Sequence, residues 1–337
     1  MPELTFPLRS EEYSQRNPIG SLDGYSILQS FGKEHLFPVY LALDKFDNQL
    51  VVLKIMDPSE TSFMNEASIF KTPNHDKIVR CKKLIENGKF SINDAHLSFK
   101  DKMKLTNAPN TSEPSYLLKN ALVLELAPYG DLFNFLLCGP LPESITRDYM
   151  GQLIDAIEHL HSNGYCHADL KLENILVDED FKIKLTDFGF SCNVFERKMI
   201  EKKTGTPSYR PPEMWAEDFK GHDGILTDIF QLGVILFILQ TGMRPFHVAN
   251  NSDSYYKAVL AGRWDVFWTF KQREFKARKV TMLSDDLKKL LAQMMSAKSE
   301  DRPSLAEIKS SDWFTKTQPA SEEEVAAEMK RRVGLMG

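Results

Sequence analysis

Two short stretches hold the residue types that chemistry would need. H-A-D-L-K-L-E-N at 167–174 brings together a carboxylate (Asp169), a lysine (Lys171) and a carboxamide (Asn174), and D-F-G at 187–189 adds Asp187. The set suits phosphoryl transfer, which asks for a positioned hydroxyl, metal ions and charge neutralisation rather than covalent chemistry. Asp169 could orient an attacking hydroxyl and take its proton. Lys171 could steady the phosphate in transit. Asn174 and Asp187 offer oxygen ligands of the kind Mg²⁺, a hard cation, prefers.

The elements around these stretches must hold them in place. Thr146 to Ser162 has a helical period (Met150, Leu153, Ile154, Ile157, Leu160, His161) and leads into the first stretch. The short strands Ile175-Leu-Val and Ile183-Lys-Leu-Thr lie between the two. Thr227 to Gln240 is apolar nearly all round, which predicts a buried helix. Further helices are expected over 284–314. Earlier in the chain the text is strand-like: Y-S-I-L from Tyr25, F-P-V-Y-L-A-L-D and Q-L-V-V-L-K-I-M, with a hairpin turn at Asp47-Asn48. A helix is expected around Ser62 to Lys71. Strands dominate early and helices late, which predicts an α+β fold with two lobes.

These motifs closely resemble those of the protein kinase superfamily, in its serine/threonine group and nearest the calcium/calmodulin-dependent and energy-sensing branch. The catalytic loop and D-F-G are spaced as that family requires. The resemblance covers residues 23–314 and implies a bilobal fold: an N-lobe over 23–126, a C-lobe over 127–314, an extension at 1–22 and a tail at 315–337. It also implies that Lys54 of V-L-K-I holds the α- and β-phosphates of ATP and pairs with Glu66. Ala121 to Leu132 resembles the hinge, with Leu124 beside the adenine, the backbones of Glu125 and Ala127 on its edge, and Asp131 toward the ribose. Gly32, Val39, Val52 and Leu176 complete the implied nucleotide site. The segment 205–213 (G-T-P-S-Y-R-P-P-E) resembles the platform for a protein substrate. There Thr206 would bond Asp169 and Lys171, Glu213 would pair with Arg302, and Asp228 would hold the catalytic loop from below.

Two departures from the family matter. The glycine-rich loop, in register from Val39, reads G-K-E-H-L-F-P-V; Gly32 alone survives, Glu34 and Phe37 replace glycines, and Pro38 removes a backbone N–H. Ala168 replaces the arginine that greets an activation-segment phosphate, and Lys202 stands where the phosphorylated residue is commonly found. With both partners of that switch missing, activity independent of such phosphorylation is expected. Asp131 and Glu173 match positions that read a basic residue upstream of the target hydroxyl. Because Lys54, Glu66, Asp169, Lys171, Asn174 and Asp187 are all present, an active enzyme using ATP and Mg²⁺ on protein Ser/Thr is the expectation. The alternative is a pseudokinase scaffold with weakened nucleotide binding. A metabolic phosphotransferase is disfavoured by the substrate-platform segment.

Composition narrows the setting. The net charge of −5 implies no general affinity for nucleic acid or an anionic membrane. Cys81, Cys138, Cys166 and Cys192 make no CxxC pair or metal-ligand spacing, which suits reduced thiols. The N-terminus lacks the apolar run of a signal peptide. The longest strongly apolar stretch, Leu232 to Leu239, is far short of the roughly 20 residues that span a bilayer. A soluble, intracellular (cytoplasmic) protein is expected. Residues 86–119 are polar and weakly periodic and read as a surface insertion. Ser321 to Val333 has an acidic start and a basic end, as a helix dipole favours. Its thin stripe of Val325, Met329 and Val333 predicts a solvated helix and leaves open a regulatory partner at the tail.

Overall fold

The computed structural model describes residues 7–8, 13, 16–31, 37–93, 116–196 and 199–336. The chain divides into two compact units, residues 1–74 with 79–128 and residues 75–78 with 129–337.

The first unit is built on alternation. Strands β1 (Gly20–Leu22), β2 (Tyr25–Ser30), β3 (Val39–Asp44), β4 (Leu50–Met56), β5 (Cys81–Ile92) and β6 (Leu117–Leu124) form a closed antiparallel barrel in the order β1-β2-β3-β4-β6-β5. Neighbouring residues on a strand face opposite sides. Val51, Leu53 and Ile55 therefore join Ile27, Tyr40, Ala42, Ala121 and Val123 inside, while Leu41 and Leu50 pack outside with Leu8, Tyr13 and Leu28. The barrel closes where β1 meets β5 at Gly20, because a Cβ there would strike the Ser91 carbonyl. The β3–β4 hairpin turns at Asn48, whose φ of 57° suits asparagine. Helix α1 (Thr61–Ile69) lies on the chain between β4 and β5.

Two expectations for this unit need correction. The insertion predicted over 86–119 is shorter at both ends, because β5 runs to Ile92 and β6 starts at Leu117. A register shift between Ile85 and Gly88, with Asn87 at φ 54°, breaks the alternation that would mark the strand. Polar residues disguise the start of β6, yet Lys119 is buried against Asp57 at 2.7 Å, and Asn120 accepts the Asn87 N–H at 2.9 Å. The centre of the insertion, 94–115, lies outside the described residues. The extension expected at 1–22 is packed onto the first unit where it is described. Leu8 and Tyr13 are buried, and the Leu8 N–H donates to the Pro128 carbonyl at 2.9 Å.

The second unit is mostly helical. Its helices are α2 (Leu132–Leu136), α3 (Glu143–Ser162), α4 (Gly224–Thr241), α5 (Ser254–Leu260), α6 (Trp264–Arg278), α7 (Asp285–Met294), α8 (Leu305–Lys309), α9 (Asp312–Thr315) and α10 (Glu322–Met336). Two small sheets sit among them: β7 (Tyr165–Cys166) pairs β10 (Cys192–Asn193), and β8 (Ile175–Val177) pairs β9 (Ile183–Leu185). Helix α4 is long and apolar enough to cross a membrane by composition, but most of it is buried within the chain. Asp223 caps its start, and Gly242, at φ 66°, ends it. Helices α5 and α6 were not foreseen. In W-D-V-F-W-T-F-K-Q-R-E-F-K-A-R apolar and charged residues mix on every face, and only Phe267, Lys271 and Phe275 of α6 are buried.

The tail departs most from expectation. α10 is a packed helix: Val325, Met329 and Arg332 are buried. The stripe looked thin because its third member is an arginine rather than Val333.

Glu213 and Arg302 form the expected strut, bidentate at 2.8 and 2.7 Å, with the Arg302 side chain fully enclosed. Glu213→Ala would leave that guanidinium buried without its carboxylate. The expected loss is about 3 kcal/mol, read as a lower urea midpoint. An unchanged midpoint would mean that the carbonyls of Ser296 and Leu226, which Arg302 also reaches, suffice.

Candidate active site

In the first unit Lys54 lies on β4 opposite Val39 of β3 and Leu122 of β6. Val52 lies opposite Leu124. Strand periodicity therefore puts Val39, Val52, Lys54 and Leu124 on one face, turned away from the barrel interior. Lys54 Nζ meets Glu66 Oε1 at 2.5 Å, and both side chains are buried. The Phe37 ring lies 5.8 Å from the same ammonium. After Leu124, the Glu125 N–H donates to the Arg80 carbonyl, and the Glu125 carboxylate accepts the Arg80 N–H, both at 2.9 Å. With its N–H engaged, Glu125 can offer an adenine edge only its carbonyl, and the Ala127 N–H can serve as the complementary donor. Gly32 and Glu34 fall outside the described residues.

The second unit holds the catalytic-type loop. Its geometry begins in α4, an apolar helix that carries Asp228 and Gln231. The Asp228 carboxylate accepts the N–H groups of His167 at 2.9 Å and Ala168 at 2.8 Å, and lies 2.8 Å from His161 Nε2. One turn on, Gln231 Oε1 accepts the Leu170 N–H at 2.8 Å. Thus anchored, Ala168 takes φ 61° and the loop turns Asp169 inward.

Asp169 is buried and satisfied in a particular way. Its Oδ1 accepts the Thr206 N–H at 2.7 Å and the Thr206 hydroxyl at 2.9 Å; its Oδ2 meets Lys171 Nζ at 3.0 Å. Lys171 also donates to the Thr206 hydroxyl at 3.2 Å. A carboxylate has about four acceptor positions. Among the described residues three are taken, which leaves one for an incoming hydroxyl. The close approach depends on Gly205, whose φ is 75° and where a Cβ would come within 2.6 Å of the Ala168 carbonyl.

Asn174 Nδ2 donates to the Asp169 carbonyl at 2.9 Å, so its amide oxygen is turned away from that bond. Its own carbonyl accepts the Thr186 N–H at 3.0 Å, which ties it to the residue before Asp187. Asp187 has φ 64°, a conformation that costs energy outside glycine. The amide oxygen and the Asp187 carboxylate are oxygen donors of the kind Mg²⁺ takes. Beside them, Phe188 is buried with its ring 5.3 Å from that of His167.

Asp131 caps α2, accepting the Asn134 N–H and side-chain amide at 3.0 Å each. Burial, with Glu173 adding repulsion, pushes its carboxyl up to about 6. Its backbone is bridged to Leu176 of β8.

Three functional residues went unread in the sequence. Gln231 could have been found as a polar residue one turn after Asp228 in an apolar helix. His222 and Arg210 gave no local signal. The His222 ring bridges the hydroxyls of Thr204 at 3.2 Å and Thr227 at 2.7 Å, and burial pulls its pKa down. Arg210 Nε donates to the carbonyls of Thr204 at 2.8 Å and Gly205 at 3.0 Å. The segment before Thr206 is therefore held by internal donors, with Lys202 exposed.

The protein kinase domain family pattern matches residues 25–314. CBL-interacting protein kinase 26 of Oryza sativa subsp. japonica is 30% identical over 304 residues, 88% of this chain and 53% of that protein. CBL-interacting serine/threonine-protein kinase 12 of Arabidopsis thaliana is 30% identical over 305 residues, again 88% of this chain and 53% of that protein. Probable serine/threonine-protein kinase MARK-B of Dictyostelium discoideum is 36% identical over 197 residues, 58% of this chain and 26% of that protein. The chain spans about half the length of the plant relatives it matches.

Gln231→Leu would leave the Leu170 N–H buried without an acceptor. The expected cost is about 1–3 kcal/mol, together with faster hydrogen exchange over 167–170 by mass spectrometry. Exchange at the wild-type rate would mean that Asp228 alone holds the loop.

Proposed function

We propose that this chain, which belongs to the protein kinase domain family, transfers the γ-phosphoryl group of ATP to serine and threonine hydroxyls of proteins. The observation that carries this reading is the Asp169–Lys171–Thr206 arrangement, with one acceptor position of the buried carboxylate left for a substrate hydroxyl.

In this reading the hydroxyl oxygen attacks the γ-phosphorus, the bond from that phosphorus to the ADP oxygen breaks, and the hydroxyl proton passes to the Asp169 carboxylate. Lys171 lies beside that carboxylate and offsets charge on the phosphoryl group as it moves. Thr206 holds Asp169 Oδ1 from both its N–H and its hydroxyl, so the base does not rotate during the step. Lys54, kept in place by Glu66, takes the α- and β-phosphates. The Glu125 carbonyl and the Ala127 N–H take the adenine edge. Asn174 and Asp187 would hold Mg²⁺, which would supply neutralisation of the phosphate charge.

Asp131 and Glu173 add negative charge on the second unit and support a preference for a basic residue upstream of the target. The bonds from His222 and Arg210 support a segment whose working shape needs no phosphate. The names of the plant relatives describe partners of those proteins; a regulatory protein partner is part of this proposal for the present chain. The competing scaffold reading draws only on the altered loop at 32–38, and every polar group the transfer step needs is present.

The test is transfer of radiolabelled phosphate from ATP to a serine peptide with arginine three residues upstream, beside Asp187→Asn. The wild type is expected to label the peptide, and the variant to fall by at least about a hundredfold. No labelling by the wild type, with weak nucleotide binding, would favour the scaffold.

A further inference from the structure

The tail helix carries, in its second half, an arginine that does more than fill space. Arg332 is buried, and its guanidinium collects three backbone carbonyls: Phe135 at 2.9 Å, Gly139 at 2.6 Å and Pro140 at 2.7 Å. Its Nε donates to Glu328 one turn earlier at 2.8 Å. The Glu328 carboxyl, bonded by Arg331 and Arg332, is held down at about 2. All three carbonyls lie at or just beyond the C-terminal end of α2.

That helix cannot stand alone. It has five residues, far fewer than an isolated helix needs, and it buries only Leu132 and Phe135. Its ends are held by opposite charges in the sense its dipole favours, with the Asp131 carboxylate at the N-terminus and the Arg332 guanidinium at the C-terminus. The two ends are not fixed alike. The backbone before Asp131 is tied to β8, through Tyr129 N–H to the Val177 carbonyl at 3.2 Å and Val177 N–H to the Gly130 carbonyl at 2.8 Å. Among the described residues the Asp131 side chain has no such tie and takes its direction from Asn134, inside the helix.

We propose that Arg332 is a positioning residue for substrate recognition: by gathering the carbonyls at one end of α2 it sets the direction of the Asp131 carboxylate at the other. The inference deepens the kinase reading and rests on it. If α2 frays, the Asp131 backbone stays while its carboxylate loses the Asn134 donors and swings. Recognition of a basic residue suffers, whereas the transfer machinery around Asp169, anchored on α4, does not.

The test compares two serine peptides, one with arginine three residues upstream and one with alanine there, against the full chain. In Arg332→Ala the KM for the arginine peptide should rise about fivefold, with kcat within about twofold and the alanine peptide unchanged. Arg332→Lys keeps the charge but not the fork of donors and should fall between. In an Asp131→Asn background Arg332→Ala should add nothing further. Fluorescence anisotropy of the labelled peptides reads the same contrast without turnover, so a catalytically silent chain would still decide the point. Equal losses for both peptides, additive effects in the double variant, or a rise in activity that marks the tail as a brake would each overturn the proposal.

Discussion

A carboxylate in the middle of an apolar helix is costly unless its oxygens are fully engaged. Asp228 meets that condition with two backbone N–H groups from consecutive residues and a histidine ring. The rest of the site follows from this one interaction. Capturing the His167 and Ala168 amides fixes the turn at Ala168, which points Asp169 toward Gly205 and Thr206, and Gln231 extends the grip to Leu170. The loop is therefore referred to a helix that is buried nearly throughout.

Legibility varied with the kind of signal. Chemistry-bearing residues at fixed spacing read well: Lys54 meets Glu66, Thr206 meets both Asp169 and Lys171, and Arg302 meets Glu213, each pair expected from motif alone. Uniformly apolar or strongly periodic helices such as α3 and α4 were equally plain. Elements stabilised by buried polar groups were hidden. Lys119 and Asn120 in β6, Lys271 in α6 and Arg332 in α10 are all buried, yet each reads as surface in a pattern of apolar against polar. Beside the local carboxylates Glu274 and Glu328, which pair with Lys271 and Arg332, their partners lie far along the chain or on backbone carbonyls, which no local window contains. The bulge at Asn87–Gly88 concealed β5 in the same way, by shifting its phase.

Both described ends of the chain act on the stretch from 125 to 140. Leu8 donates to the Pro128 carbonyl within the first unit, and Arg332 collects carbonyls after α2 within the second. Segments that composition marks as an extension and a tail thus supply donors to the backbone around the hinge-type residues. The missing arginine at 168 has its own replacement within the second unit. Where Ala168 cannot reach a phosphate, Arg210 and His222 order the segment from within.

The proposed function holds that the transferring geometry is complete in the unmodified chain. It is tested most directly by the kcat of protein treated with phosphatase and confirmed unphosphorylated by mass spectrometry. The account predicts full activity from the first turnover, with no lag and no gain on later modification of the 190–206 segment. Activity that is absent after phosphatase and returns only when that segment is phosphorylated would contradict it.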